Sequence, residues 1–221
     1  MDKQYKHLTF LAMLVLTVMF MDSILEYKPI EMPFGSMMAA SFVFPFWFIL
    51  TDVITEVYGP KAAKKVLWSA FACQLLLSLT AYVLIHQKSP SGWTNQDSYN
   101  LILGHLPRIV LSNFLSIILA GYININLLAK WKILMRGRYF WLRSIGSSAI
   151  AEILYSTLAV TLIGYQIFTP HQLATMIMWS YIMKLSYTTL FAAPATLLVG
   201  WLKHAEGQVD MEVKNPLAAC P

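Results

Sequence analysis

Ionisable residues stand inside long apolar stretches of this sequence, and Lys184 is the clearest case. Residues 173–183 before it and 185–202 after it carry no charge. A lysine side chain reaches only about one helical turn towards water, so we expect its ammonium to meet an anion inside the protein. On a helix, the same face would also carry Tyr181, Tyr187 and Thr188.

Carboxylates occur in two other apolar stretches. Glu152 is expected to share a helical face with Tyr155, among other polar residues. Asp52 and Glu56 are four residues apart and so lie on one stripe, which continues through Phe48. A charge at the centre of a membrane helix costs about 2.5–3.5 kcal/mol on insertion scales, and such residues usually face protein or a water-filled cavity. The pattern favours a polar binding site or a transport pathway.

A purely structural role stays open for each of these charges. Lys184 and Glu152 could form an ion pair that only locks two helices together. Asp52 and Glu56 could instead cap their helix against the lysines that follow, Lys61, Lys64 and Lys65.

Three further polar residues lie nearer the predicted membrane interface. Asp22 and Glu26 form a similar pair at the end of the first apolar stretch, where we expect water to solvate them. Arg108 opens the fourth stretch, where it could line a site or extend to the interface, and Asn113 lies further in.

No enzymatic motif is present in the sequence. It contains no GxSxG, HExxH or P-loop pattern. Asp52 and Glu56 beside three lysines are a poor metal signature, and the two cysteines, Cys73 and Cys220, have no metal-ligand spacing. We therefore predict neither an enzyme nor a bound metal or cofactor.

Composition indicates that lipid surrounds most of the chain. Of 221 residues, 57% are hydrophobic and only 12% are charged, whereas soluble domains carry about 25% charged residues. The net charge of +5 comes from Lys and Arg between the apolar stretches. These positions set membrane orientation and do not indicate a nucleic-acid partner.

Apolar stretches of about 20 residues predict membrane-spanning helices. The sequence predicts an all-α membrane protein with a single domain over residues 1–205 and a polar cytoplasmic tail over residues 206–221. Six helices are expected, at about 8–25, 35–58, 66–85, 109–129, 145–167 and 173–202.

Basic residues predict the orientation, because cytoplasmic loops are enriched in Lys and Arg. With six crossings, one side would hold Lys28, Lys88 and Arg108. The other would hold Lys3, Lys6, Lys61, Lys64, Lys65, Lys130, Lys132, Arg136, Arg138, Arg143, Lys203 and Lys214. This places both termini in the cytoplasm.

One segment resembles a known family. Residues 44–59 contain Phe44-Pro45, Thr51-Asp52, Glu56 and Tyr58-Gly59, and basic residues follow. This pattern is similar to the end of the second helix in the queuosine precursor transporter family, also called vitamin-uptake-transporter-like. Size, helix number, the Pro107-Arg108-Ile109 triplet and Lys184 ahead of Pro194 agree with it.

The resemblance implies a carrier of the bacterial inner membrane that is similar to the substrate-binding subunits of energy-coupling-factor transporters but works without an ATPase partner. Its substrate would be a 7-deazaguanine such as preQ0, preQ1 or queuine. A carboxylate can accept two hydrogen bonds from such a ring, and aromatic side chains can stack on it. We expect Glu152 to accept them, with Asp52 as second choice, and Lys184 to donate to the ring carbonyl or to neutralise a carboxylate in the empty site. The expected substrate-binding set is Glu152, Lys184, Asp52, Glu56, Phe48, Tyr155, Tyr181, Arg108 and Asn113.

The sequence also departs from that family. Tyr155 stands near the place where relatives often have an aspartate, and the segment around Asp22 and Glu26 is more acidic than expected. Another heterocycle therefore stays open as ligand. So do two other functions, a vitamin-binding subunit that needs a shared ATPase and a membrane scaffold without transport. Residues 11–16 of the first helix lack the AxxxA spacing with which such subunits often dock.

Overall fold

The computed structural model describes residues 5–32 and 35–207. Seven α-helices, one two-stranded hairpin and one short 3-10 helix lie within these ranges. The hairpin strands are β1 (Pro29–Met32) and β2 (Gly35–Met38), and the 3-10 helix is Ala39–Phe42. The helices are α1 (Leu8–Leu25), α2 (Pro45–Tyr58), α3 (Pro60–Ile85), α4 (Gln96–Leu103), α5 (Leu106–Leu134), α6 (Phe140–Gly164) and α7 (Pro170–Ala205).

The structure confirms a helical membrane protein. Within the described ranges, five helical segments are long and apolar enough to cross a membrane: α1, α3, residues 96–134 with α4 and α5, α6 and α7. The predicted bounds of α1 are correct, whereas α5 and α7 extend further at both ends than the sequence predicts. Helix α3 begins earlier than predicted and ends at the predicted residue, and α6 both begins and ends earlier. Where a helix extends further, its polar flanking residues continue it, because Lys, Arg and Gln are good helix formers. The predicted tail, residues 206–221, lies outside the described residues beyond Gly207.

The prediction of a continuous second helix over residues 35–58 is wrong. Helix α2 begins at Pro45 and has 14 residues, so it is about 21 Å long, shorter than the roughly 30 Å hydrocarbon core. Proline has no backbone N–H and fits only the first turn of a helix, which makes Pro45 a start. Residues 35–42 form β2 and the 3-10 helix instead.

The chain after β2 runs through the interior of the bundle. The hairpin is antiparallel, with Ile30 opposite Met37. Met37, Met38 and the first three residues of the 3-10 helix are buried, and the Ser41 hydroxyl bonds that of Ser180 on α7 at 3.1 Å. Non-helical backbone at membrane depth occurs only where protein buries it or where it lines a cavity. The segment over residues 35–58, predicted as one helix, is therefore interrupted.

One end of the bundle gathers most of the basic residues, and we call it the basic end. Glu206, just after α7, accepts hydrogen bonds from the backbone N–H groups of Lys6 and His7, 3.2 and 3.0 Å, and from the Tyr58 hydroxyl, 3.0 Å. Partial burial raises the pKa of Glu206, but these donors outweigh it and hold the pKa below its ordinary value. The start of α1 and the ends of α2 and α7 therefore lie together.

A buried ionic cluster holds four helices together at the basic end. Glu56 of α2 bonds Arg143 of α6 at 2.9 Å and Lys203 of α7 at 3.1 Å, and lies 3.6 Å from the Lys132 Nζ of α5. Arg143 is completely buried. The alternative that Glu56 caps α2 against Lys61, Lys64 and Lys65 is therefore wrong. Lys64, for one, bonds Asn126 of α5.

Gly121 allows α5 to approach α2 closely. A Cβ atom at this position would lie 3.0 Å from the buried Trp47 Cη2, whereas a Cβ atom at Gly200 would meet nothing within 4 Å. We expect Gly121→Leu to cost about 1–3 kcal/mol of stability by overpacking and to lower the unfolding temperature by several degrees. The matched change Gly200→Leu should leave that temperature unchanged or raise it. Tryptophan fluorescence during heating of the purified protein in detergent measures both, and equal temperatures would refute close packing at Gly121.

The ionic cluster gives a second stability prediction. Glu56→Gln leaves three basic side chains without their shared carboxylate, and breaking a buried ion pair from one side costs about 3–5 kcal/mol. We expect a larger fall in unfolding temperature than for Gly121→Leu. Asp97→Asn, on the exposed surface of α4, makes the same change in charge and should have no effect. The cluster would not be stabilising if these two variants unfolded together.

Candidate ligand site in the membrane interior

Lys184 points into the bundle. It is 4% exposed and lies on the buried face of α7 with Ser180 and Thr188. Its Nζ lies 4.3 Å from the centre of the Tyr155 ring and 4.8 Å from that of Phe44. Two desolvated rings stabilise an ammonium through cation–π attraction. The lysine is therefore buried, but among the described residues it forms no direct ion pair with the anion that the sequence predicts.

Three carboxyl groups surround this ammonium without touching it. Glu26, Asp22 and Glu152 lie within electrostatic reach of Lys184, but its hydrogen-bond partner is the Ser156 hydroxyl at 3.5 Å. Glu152 instead accepts a hydrogen bond from Thr188 at 3.0 Å. Among the described residues, Lys184 and Glu152 do not form the direct ion pair that could have locked α6 to α7.

The expectation that water solvates Asp22 and Glu26 is wrong, because they are only 2% and 6% exposed. The hairpin follows α1 directly, and the first residue after it bonds back to the chain after α1, from the Ala39 N–H to the Lys28 carbonyl. The inward stripe of α1, which begins at Leu11, Val15 and Met19, therefore continues into these acidic residues. This spacing is a signal in the sequence that could have placed them inside.

Asn113 connects the first helix to the aromatic rings. It is completely buried, its Nδ2 donates to Asp22 at 3.0 Å, and its Oδ1 accepts from the Tyr155 hydroxyl at 3.0 Å. The Tyr155 ring stacks on Phe44, with centroids 3.9 Å apart and planes 11° from parallel. We call Asp22, Phe44, Glu152, Tyr155 and Lys184 the central site.

Two oxygens of the central site have no hydrogen-bond partner among the described residues. They are Oδ1 of Asp22 and Oε2 of Glu152, and both are buried. A buried polar atom without a partner is costly and usually indicates a functional position. These acceptors, an ammonium donor and two stacked rings suit a flat ligand that carries N–H groups on one edge. The rings cover the ammonium in this conformation, so such a ligand would need them to separate.

Asp52 lies apart from the central site, further along α2 towards the basic end. It is 1% exposed. Its Oδ1 accepts from the Asn124 amide and its Oδ2 from the Ser144 and Ser148 hydroxyls. Both oxygens are thus occupied by neutral donors of α5 and α6.

The other predicted residues lie outside the central site. Glu56 belongs to the ionic cluster, and Phe48 packs in the core against Phe44 and Trp47. Tyr181 is half-buried beside the inward face of α7. Arg108 donates to the carbonyls of Leu162 and Tyr165 at 3.0 and 2.6 Å, which satisfies groups that the end of α6 leaves unpaired.

The structure thus brings together four of the nine predicted residues: Glu152, Tyr155, Lys184 and Asn113. Asp22 and Phe44 are central-site residues that were not predicted from the sequence as binding residues. For Phe44 the signals were its place in the family pattern and its neighbour Pro45, which begins α2 and so places Phe44 directly before that helix.

Comparison with known proteins finds relatives over most of the chain. The family profile described as "Putative vitamin uptake transporter" matches residues 38–199, well over half of the sequence. A Bacillus subtilis (strain 168) protein named "Probable queuosine precursor transporter" is 29% identical over 146 residues, 66% of this chain and 61% of that relative. An Escherichia coli (strain K12) protein named "Queuosine precursor transporter" is 23% identical over 163 residues, 74% of this chain and 71% of the relative.

The matched region therefore spans less than two thirds of the Bacillus relative's length. No solved structure matches the chain significantly. The family match covers α2, α3, α5, α6 and most of α7, and thus every central-site residue except Asp22. The chain belongs to the vitamin uptake transporter family, a family of membrane transporters and not of enzymes.

Proposed function

We propose that the protein is a multi-pass importer of the bacterial inner membrane that carries a queuosine precursor, a 7-deazaguanine such as preQ0, preQ1 or queuine, without an ATPase partner. The names of both relatives support this substrate class. The observation that carries the proposal is a buried ammonium against a stacked pair of aromatic rings, within electrostatic reach of two carboxyl groups that each have an unpartnered oxygen.

The chemistry of the ring matches the central site group by group. A 7-deazaguanine has a ring N–H and an exocyclic amine on one edge, and both donate hydrogen bonds. Oε2 of Glu152 and Oδ1 of Asp22 are acceptors without partners. Lys184 can donate to the ring carbonyl, and a flat heterocycle can stack against Phe44 or Tyr155. Hydrogen bonds to charged groups are the strong ones in a dry cavity.

The interruption within residues 35–58 supports a carrier. Carriers commonly bind substrate near the membrane midplane, where a discontinuous helix begins. Phe44 stands directly before α2, and Ser41 contacts α7 close to Lys184. We propose that the hairpin and the 3-10 helix move away from α7 to admit the ligand from outside.

The basic end supports an orientation with both termini in the cytoplasm. Lys132, Arg143 and Lys203 meet there around Glu56, and the opposite end holds Lys28, Lys88 and Arg108. Basic residues accumulate on the cytoplasmic side of bacterial membrane proteins. A ligand that enters from the end with the hairpin would then be imported.

The surface of α1 supports transport without an ATPase module. Its exposed residues include Phe10, Met13, Met21 and Ile24. Close docking of a second membrane helix uses small residues at the contact. We therefore expect the purified protein to elute without an ATPase, whereas co-elution with one would favour the vitamin-binding subunit.

Uptake by cells tests the proposal. In cells that cannot synthesise 7-deazaguanines, expression of the protein should increase uptake of the labelled compound. Lys184→Ala should abolish this uptake, because the ammonium faces the ligand, while the amount of protein in the membrane stays the same. Lys88→Ala, which removes an exposed lysine, is the matched control and should transport normally.

The same variants separate a carrier from a scaffold. A saturating ligand at about 100 times its Kd stabilises the folded state by about 2.7 kcal/mol, so it should raise the unfolding temperature of the wild type and of Lys88→Ala but not of Lys184→Ala. Equal uptake in cells with and without the protein, together with no thermal shift, would refute the proposed function.

A further inference from the structure

Asp52 is a buried carboxyl group that the proposed binding site does not use. Its hydrogen-bond donors are two hydroxyls and an amide, all neutral. Among the described residues, the charged groups that act on it are Glu56, one turn further along α2, and Glu152 of α6, and both are acidic. Within that part of the chain, an ionised Asp52 would therefore be a negative charge in the membrane interior without a positive neighbour, which is costly.

The cations on the neighbouring helices bond other groups. Lys132, Arg143 and Lys203 contact Glu56, and Lys64 of α3 bonds Asn126. Lys184 of α7 lies against Tyr155 and Phe44, with Asp22 and Glu26 of α1 around it. A proton is thus the simplest group that can neutralise Asp52.

The side chain of Asn124 can form a hydrogen bond with Asp52 in both its ionised and its protonated form. Its Nδ2 donates to Asp52, while its own Oδ1 is buried and has no partner among the described residues. Half a turn of the amide exchanges the two atoms and presents a carbonyl oxygen, which accepts a hydrogen bond only from a protonated carboxyl. The hydroxyls of Ser144 and Ser148 can likewise rotate to donate or to accept.

The donors also lie too close for a metal ion. The side chains of Asn124 and Ser144 are at direct hydrogen-bond distance from Asp52, and no ion could stand between them. The pocket is therefore built for exchange of a proton between a carboxylate and a carboxylic acid.

We propose that Asp52 binds one proton per transport cycle and thereby couples uptake of the ligand to the proton gradient. This inference rests on the proposed function. Asp52 lies between Glu152 of the central site and Glu56 at the basic end, its two charged neighbours. The carboxylate takes up a proton that enters from outside with the ligand. It releases the proton to the cytoplasm after the ligand has left, and so returns to the ionised form.

Reconstitution of the full-length protein in liposomes tests this role, with labelled 7-deazaguanine as the probe and the membrane potential held at zero. At equal pH the wild type should exchange external for internal ligand. With the outside one pH unit more acidic, it should accumulate an uncharged ligand up to about tenfold, because one pH unit is a factor of ten in proton activity. A protonophore should abolish the accumulation.

The variant Asp52→Asn keeps the size of the side chain and removes the exchangeable proton. We expect it to retain exchange at equal pH and to lose accumulation driven by the pH gradient. Asp97→Asn, which neutralises an exposed carboxylate of α4, is the matched control and should accumulate ligand like the wild type.

A second variant keeps the test decisive if Asp52→Asn does not fold. Ser144→Ala with Ser148→Ala removes two donors that stabilise the ionised carboxylate, so the pH at which transport is half-maximal should rise. An unchanged midpoint would contradict the proposal.

The outcomes separate this inference from the proposed function. Exchange by the wild type without any response to the pH gradient overturns proton coupling and leaves the importer intact. Proton coupling is also overturned, and the importer left intact, if Asp52→Asn accumulates the ligand at the wild-type level. The same holds if accumulation follows a sodium gradient instead of the pH gradient. If the wild type neither exchanges nor accumulates the ligand, the proposed function fails, and proton coupling fails with it.

Discussion

The arrangement of the helices depends on one constraint: lipid cannot solvate the ammonium of Lys184. Lys184 has apolar residues on both sides in the sequence, so the protein itself must replace water around it. Two aromatic rings, a hydroxyl and three surrounding carboxyl groups do so, contributed by the end of α1, by α6 and by the residue before α2. The end of α1, the residue before α2, and helices α6 and α7 therefore meet around Lys184 in the bundle interior.

The segment over residues 35–58 is interrupted where the chain reaches this site. Helix α2 begins only at Pro45, and the chain before it, which is not α-helical, brings Ser41 and Phe44 against α7. Such backbone is stable at membrane depth only because the surrounding helices bury it.

Two buried carboxylates, Glu56 and Glu152, differ in how many of their oxygens have partners. Glu56 has three basic partners at the basic end, so both of its oxygens are satisfied. Glu152 has one hydroxyl donor and one oxygen without a partner. The first arrangement joins helices, whereas the second leaves binding capacity unused. Because unsatisfied buried groups cost free energy, the unpartnered oxygens of the central site lower stability, which agrees with the ligand binding that we propose there.

The sequence by itself determined the class of protein, the bounds of α1 and the burial of Lys184. These features depend on how many apolar residues follow one another along the chain, and not on which helices pack together. It also indicated the family, through the residues around α2. Only the tertiary structure decided that α2 is short, that Asp22 and Glu26 face inward and that Arg143 binds Glu56. These outcomes depend on how each helix is rotated about its axis and on which neighbour it meets. A carboxylate near the end of an apolar stretch has the same local pattern whether it faces water or another helix.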